Sequence, residues 1–190
     1  MNEQLKESRQ PQVLELTPSG DEFLRKPCRK LAKDEILSPN IQNLIDDIAQ
    51  TSKEKKMGVG LSANQVGGSV AISVINIKPT PARPNLEPFD NVCINTEILE
   101  TLGDPELMWE GCLSTAMDEN GEPSMARVPR FTKVRIKYLD RNGEERKETV
   151  EGFVAHVIQH ETDHLNGILF TDKINSNDLI TYQEYIKQQS

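Results

Sequence analysis

This sequence is short of long apolar runs, aromatic residues and histidine. No stretch approaches the roughly 20 consecutive apolar residues that a membrane-spanning helix needs, so no membrane span is expected. Aromatic residues make up 5% and hydrophobic residues 36% of the chain, enough for a soluble core built mainly from aliphatic side chains. Basic residues are outnumbered, 22 against 30 acidic, and the net charge of −8 argues against direct binding to nucleic acid or to an anionic membrane surface. The opening residues MNEQLKESRQ are polar and hold no apolar segment of the kind that directs export. The expected location is therefore the cytoplasm, with an organelle as the alternative. Cys28, Cys93 and Cys112 form an odd set, which favours free thiols or a metal ligand over a disulfide framework.

The length of 190 residues suits one domain over 1–190, and no repeat or clean boundary divides it. Residues 1–20 read as a loose lead-in. Ser38-Pro39 supplies a cap and a first-turn proline, and Ile41, Leu44, Ile45 and Ile48 follow at helical spacing, with Lys53 and Lys55 near the expected end. Val70 to Ile77 reads as a buried strand. Pro79, Pro81, Pro84 and Pro88 make the next segment a stiff loop. Two short strand segments are expected over Asn91–Leu102, and an irregular polar stretch containing Asn120-Gly121 over 114–127. Val134, Ile136 and Tyr138 alternate as a strand, and Asn142-Gly143 turns the chain back into another. A helix is expected from about Gly152 to Leu165, and a short polar helix at the C-terminal end.

Two of the three histidines, His160 and His164, fall in Gln159-His160-Glu161-Thr162-Asp163-His164. Residues four apart share one helix face, so both imidazoles can close on one ion, with Glu161 beside them to handle a water proton. The competing reading is a polar, solvated helix face. His156 lies four residues earlier, but three histidines at i, i+4 and i+8 cannot share an ion. The outer two stand roughly 12 Å apart along the axis, whereas ligand atoms lie about 2.0–2.3 Å from a zinc-like ion. His160 and His164 enclose the carboxylate and are the better pair; His156 is read as a pocket-wall or surface residue. A catalytic ion usually has a third protein ligand and an open position. Gly167 fits the metzincin pattern H-E-x-x-H-x-x-G-x-x-H, but its last position is Phe170. The third ligand is then a carboxylate or a cysteine, and Glu110-Gly111-Cys112-Leu113-Ser114 offers a cysteine in a glycine-bearing turn.

A further segment, Gly58-Val59-Gly60-Leu61-Ser62-Ala63-Asn64-Gln65, combines glycines, small residues and a terminal amide. Taken in order, the three segments resemble the peptide deformylase family, which carries G-φ-G-φ-A-A-x-Q, E-G-C-L-S and Q-H-E-x-D-H. The likeness extends to Leu24-Arg25-Lys26 and Val128-Pro129-Arg130, so it covers most of the chain.

The resemblance implies an α+β fold of antiparallel strands folded around a central helix carrying the H-E-x-x-H motif. It implies removal of the formyl group from the formyl-methionine of nascent peptides, with transient contact to the ribosome as a possible corollary. It implies one divalent metal on Cys112, His160 and His164. Thiolate and imidazole ligation suits zinc or iron(II) alike, and the resemblance implies iron(II), with zinc or nickel able to replace it. Glu161 would carry protons, and the Gln65 side-chain amide and the Leu113 backbone N–H would stabilise the oxyanion. Gly60 would allow close backbone approach to substrate. Val59, Phe153, His156 and Val157 are expected to line the pocket for the first side chain. The departures are Ser62 in place of the preferred Ala, Asn95-Thr96 in place of Asn-Pro, and enlarged loops at 79–90 and 115–127. The loops bear on substrate range, and Ser62 is expected to be immaterial. Two other readings stand beside this one: an H-E-x-x-H metallopeptidase, and a deformylase-like binding module without the chemistry.

Overall fold

The structure is a computed structural model and describes residues 9–18, 20–55, 58–81, 83–114 and 122–189. The expected irregularity at 115–121, Asn120-Gly121 included, lies outside the described residues. Two helices open the fold, α1 (Lys33–Ile36) and α2 (Pro39–Glu54). Ser38 caps α2 by accepting the Ile41 N–H, and Pro39 occupies the first turn, where no backbone donor is needed. Ile45 and Ile48 are buried on the face that meets the sheet.

Among the described residues five strands form one antiparallel sheet in chain order: β1 (Gly60–Ser62), β2 (Ile72–Ile77), β3 (Phe89–Gly111), β4 (Met125–Leu139) and β5 (Glu145–Glu151). Helix α3 (Gly152–Leu165) packs against β1, β2, β3, β4 and β5, and α4 (Tyr182–Gln189) closes the described chain. The molecule is thus mixed α and β, with an antiparallel sheet. Side-chain alternation in β2 explains its nearly continuous apolar sequence. Ile72 and Val74 join the core cluster containing Ile45 and Ile48 of α2, while Ile75 and Ile77 join the cluster containing Val154, Val157 and Ile158 of α3. Both faces of β2 are covered, so both sets of side chains are apolar.

Three expectations need correction. Asn91–Leu102 is not two short strands: it lies inside β3, a single 23-residue strand. Its apparent breaks are register shifts between Ile94 and Glu97, Ile98 and Glu100, and Leu102 and Pro105, where bulges bend the strand without ending it. Asn95 occupies one of them with φ 56° and exchanges hydrogen bonds of 2.9 and 2.8 Å with the Leu31 backbone. The strand read from Val134 begins nine residues earlier, at Met125. The lead-in, where described, is tethered. Arg9 makes a two-pronged contact with Asp47 (2.8 and 2.7 Å), Leu14 N–H donates to Thr51 (2.9 Å), and Thr17 N–H donates to the Gln65 carbonyl (2.7 Å).

Candidate active site

The site forms where the end of β3 passes α3. Cys112 lies just beyond the strand, 4% exposed, and its Sγ stands 3.2 Å from His164 Nε2. The i, i+4 spacing in α3 brings His160 Nε2 to 3.1 Å from His164 Nε2. The donor atoms of Cys112, His160 and His164 all lie within 4.8 Å of one another. Donors held tetrahedrally at bond lengths of about 2.0–2.3 Å stand roughly 3.3–3.8 Å apart, so this cluster is close to what one ion requires.

The surroundings of Glu110 decide how His160 is presented. This carboxylate, 4% exposed, accepts four hydrogen bonds: from Arg130 Nε (2.5 Å) and His156 Nε2 (2.9 Å) on Oε1, and from Arg130 Nη2 (3.1 Å) and His160 Nδ1 (2.7 Å) on Oε2. Burial opposes its ionisation, but the His160 charge and the bonds from His156, His160 and Arg130 hold it well below the usual carboxylate range. An ionised carboxylate only accepts, so His160 Nδ1 keeps a proton towards Glu110, and Nε2 is the atom that would give up its proton to offer a lone pair to an ion. Arg130 is held in turn by Asp163 at 2.5 Å, and Lys173 meets Asp163 at 3.0 Å. Burial pushes the Cys112 thiol up, but the imidazoles of His164 and His160 outweigh it and bring it down to about 6, towards the thiolate that binds metal. The residues present therefore fit a divalent ion.

Gln65 and Glu161 flank the cluster. Gln65, 2% exposed, accepts the Ser62 N–H on Oε1 (2.9 Å) and points Nε2 at Cys112 Sγ and Ser114 Oγ, both at 3.3 Å. Glu161, 4% exposed, receives the Ser62 hydroxyl on Oε2 at 2.5 Å. Gly60 is needed for a reason the sequence did not supply. A Cβ there would meet Glu161 Oε1 first and would stand 2.9 Å from Cδ and 3.0 Å from Cγ, so the close approach is by the Glu161 carboxylate itself. Ser62, expected to be immaterial, touches the proposed proton carrier.

A cavity of about 510 Å³ opens over the cluster. Val59, Gly60, Gln65, Cys112, Leu113, Phe153, His156, Val157, His160 and Glu161 line it; His164 sits behind them, 1% exposed. His156, 5% exposed, is a wall residue and not a surface one. Its contact with Glu110 also ties the wall to His160. Sequence reasoning missed other lining residues. Arg83, from the proline-rich loop, stacks over Phe153 at 4.5 Å. Trp109 meets Tyr185 edge-on at 5.2 Å, and Tyr182 lies 5.8 Å from Tyr185. No local pattern marked the tyrosines of α4, because the β-bridge between Met125 and Ile180, a long-range pairing, carries them to the cavity. Glu110 and Arg130 lie in segments that carried the family likeness, but the sequence reading gave neither a role.

Comparison with known proteins follows the same line. The sequence profile described as polypeptide deformylase matches residues 13–179. Peptide deformylase 2 of Nostoc sp. (strain PCC 7120) is 35% identical over 178 residues, covering 92% of this chain and 94% of that protein. The peptide deformylase of Aquifex aeolicus is 39% identical over 156 residues, covering 81% and 83%. Among solved structures, a Met-Ala-Ser-bound class I type b peptide deformylase from Acinetobacter baumannii superposes with a TM-score of 0.77 at 34% identity, over 85% of this chain and 98% of that one.

Proposed function

This chain belongs to the polypeptide deformylase family, and we propose that Cys112, His160, His164, Glu161 and Gln65 form its working centre, within one catalytic domain over 1–190 built around helix α3. The enzyme is a metal-dependent hydrolase that removes the formyl group from the N-terminus of nascent peptides. One observation carries the assignment of residues: Cys112 and His160 of the Cys/His/His cluster line the same cavity as Glu161 and Gln65, with His164 directly behind them.

Cys112, His160 and His164 would hold the ion. Bound there, it supplies Lewis acidity, which activates water near neutral pH and polarises a carbonyl. We assign iron(II) as the native ion, with zinc or nickel as substitutes, on the strength of the family likeness; the mixed thiolate and imidazole donor set suits iron(II) and zinc alike. Glu161 accepts the proton of the attacking water. The new C–O bond forms at the formyl carbon, and charge gathers on the formyl oxygen. Gln65 Nε2, already beside Cys112 Sγ, donates to that oxygen, and the Leu113 N–H is assigned the second donation. As the C–N bond breaks, Glu161 returns its proton to the amine, leaving formate and a free N-terminus. Val59, Phe153 and Val157 supply an apolar wall suited to the flexible methionine side chain, and Gly60 and His156 complete it.

The described residues include no helix long and apolar enough to cross a membrane. A cytoplasmic setting and transient contact with the ribosome follow from the nascent substrate alone; α4, with Lys187 its only basic residue, offers no basic docking face. The test is Glu161→Ala. It should keep its metal and lose about 10²–10⁴-fold in turnover of a formyl-Met peptide. Near-normal turnover would remove Glu161 from its role, and cleavage of unformylated peptides by the native protein would favour the peptidase reading.

A further inference from the structure

Ser62 and Ser73 are cross-strand partners in β1 and β2, 0% and 1% exposed. Leu61, between Gly60 and Ser62, faces the α2 side of the sheet, so the alternation of β1 turns Gly60 and Ser62 towards α3. Ser62 Oγ lies 2.8 Å from Ser73 Oγ, 2.5 Å from Glu161 Oε2 and 3.3 Å from the Glu161 carbonyl oxygen. A hydroxyl has one proton to give, and an ionised carboxylate can only accept. The short contact therefore takes the Ser62 proton, and Ser73 must direct its own proton at Ser62 Oγ. The result is a one-way chain, Ser73 to Ser62 to Glu161. On its other side Oε1 lies against the bare backbone of Gly60, where the absent Cβ leaves it room. Among the described residues no hydrogen bond reaches Glu161 Oε1, and Glu161 lines the cavity.

We infer that Ser62, backed by Ser73, is a positioning residue for Glu161: its hydroxyl engages Oε2 and leaves Oε1 as the oxygen that exchanges protons with substrate and water. This rests on the assignment of Glu161 as proton carrier. It adds which oxygen does the work and what holds it. A proton taken up on Oε1 leaves Oε2 a carbonyl-type oxygen, which still accepts from Ser62. The chain of hydrogen bonds thus survives both halves of the proton transfer without rearrangement. The plainer reading is a satisfied pair of hydroxyls joining two buried strands, and it predicts no effect on turnover beyond stability.

The experiment measures formate release from formyl-Met-Ala by Ser62→Ala, Ser62→Gly, Ser73→Ala and Glu161→Gln, singly and combined, at equal metal content and with the unfolding midpoint recorded for each. Loss of the Ser62 hydroxyl should lower kcat about ten- to a hundredfold while KM and metal stoichiometry stay within about twofold. Ser62→Gly removes the hydroxyl without placing a methyl group against the carboxylate, and should give the same loss. Ser73→Ala should cost less, because Ser62 keeps its proton. Ser62→Ala should add nothing in the Glu161→Gln background, and Ser73→Ala nothing in the Ser62→Ala background, because each acts through the next. The inference is overturned if both Ser62 variants keep kcat within about twofold, if the loss appears in KM or metal content, or if it persists at full size in Glu161→Gln. If Glu161→Gln itself turns over normally, the assignment of Glu161 fails first, which separates the two claims.

Discussion

Replacing Glu110 with glutamine tests how His160, the proposed metal ligand, is oriented. Each carboxylate oxygen accepts two hydrogen bonds, Oε1 from Arg130 and His156 and Oε2 from Arg130 and His160. A glutamine amide keeps one acceptor oxygen and turns the other position into a donor. Placed at the Oε1 position, the NH₂ opposes Arg130 Nε–H, which cannot become an acceptor. Placed at the Oε2 position, it opposes Arg130 Nη2–H and forces His160 to accept on Nδ1. The imidazole proton then moves to Nε2, the atom that should face the ion. Both orientations also strip Arg130, 3% exposed, of its partner charge, leaving Asp163 as its carboxylate contact. Breaking a buried ion pair by removing one charge costs about 3–5 kcal/mol. For a chain of this size that corresponds to roughly 2–4 °C of Tm per kcal/mol. Loss of the partner that orients a metal-binding histidine weakens binding by about 10–100-fold, or roughly 1.4–2.7 kcal/mol. Metal affinity is read by competition against a chelating dye, and stability by denaturant unfolding of the metal-free protein. An unchanged Kd together with an unchanged midpoint would refute the reasoning, because no placement of the amide satisfies all four donors.

Three further perturbations address separate parts of the account. Gln65→Leu removes the proposed oxyanion donor and should lower kcat by the equivalent of about 2.7–4 kcal/mol with a smaller change in KM; a pure KM effect would make Gln65 a ground-state contact. Gly60→Ala places a methyl group where Glu161 lies, 2.9 Å from Cδ; turnover should collapse while metal content, measured by elemental analysis, persists. The Arg9 guanidinium holds the Asp47 carboxyl below its ordinary range. That contribution is complete above the unfolded carboxylate value and is lost as pH falls through the lower folded value. Asp47→Asn should therefore flatten this part of the acid limb in unfolding measured against pH; an unaltered acid limb would show that the tether contributes nothing.

The parts of this molecule legible in the sequence are those set by short-range chemistry. Ser38-Pro39 and the isoleucine spacing marked α2, and His160, Glu161 and His164 marked the useful face of α3, because cap and face depend on neighbours within a turn or two. The continuity of β3 was hidden, because Asn95 and Gly103, with φ of 56° and 75°, look like terminators when the partner strand that absorbs the bulges is unknown. The tether through Arg9 and Asp47 and the contact of Ser62 with Glu161 join residues 38 and 99 positions apart, and no local pattern encodes such pairs. The motifs named the groups proposed to react. The folded chain added what orients them: Glu110 behind His160, and Ser62 behind Glu161.

The most direct test of the central claim is a metal titration of the metal-free protein and of Cys112→Ala, with formate release from formyl-Met-Ala followed at each addition of iron(II) under anaerobic conditions. Cys112, His160 and His164 acting together predict that activity in the native protein rises to a plateau at one ion per chain, and that Cys112→Ala shows neither tight uptake nor a plateau. Equal tight uptake and equal turnover by Cys112→Ala would contradict the three-residue site.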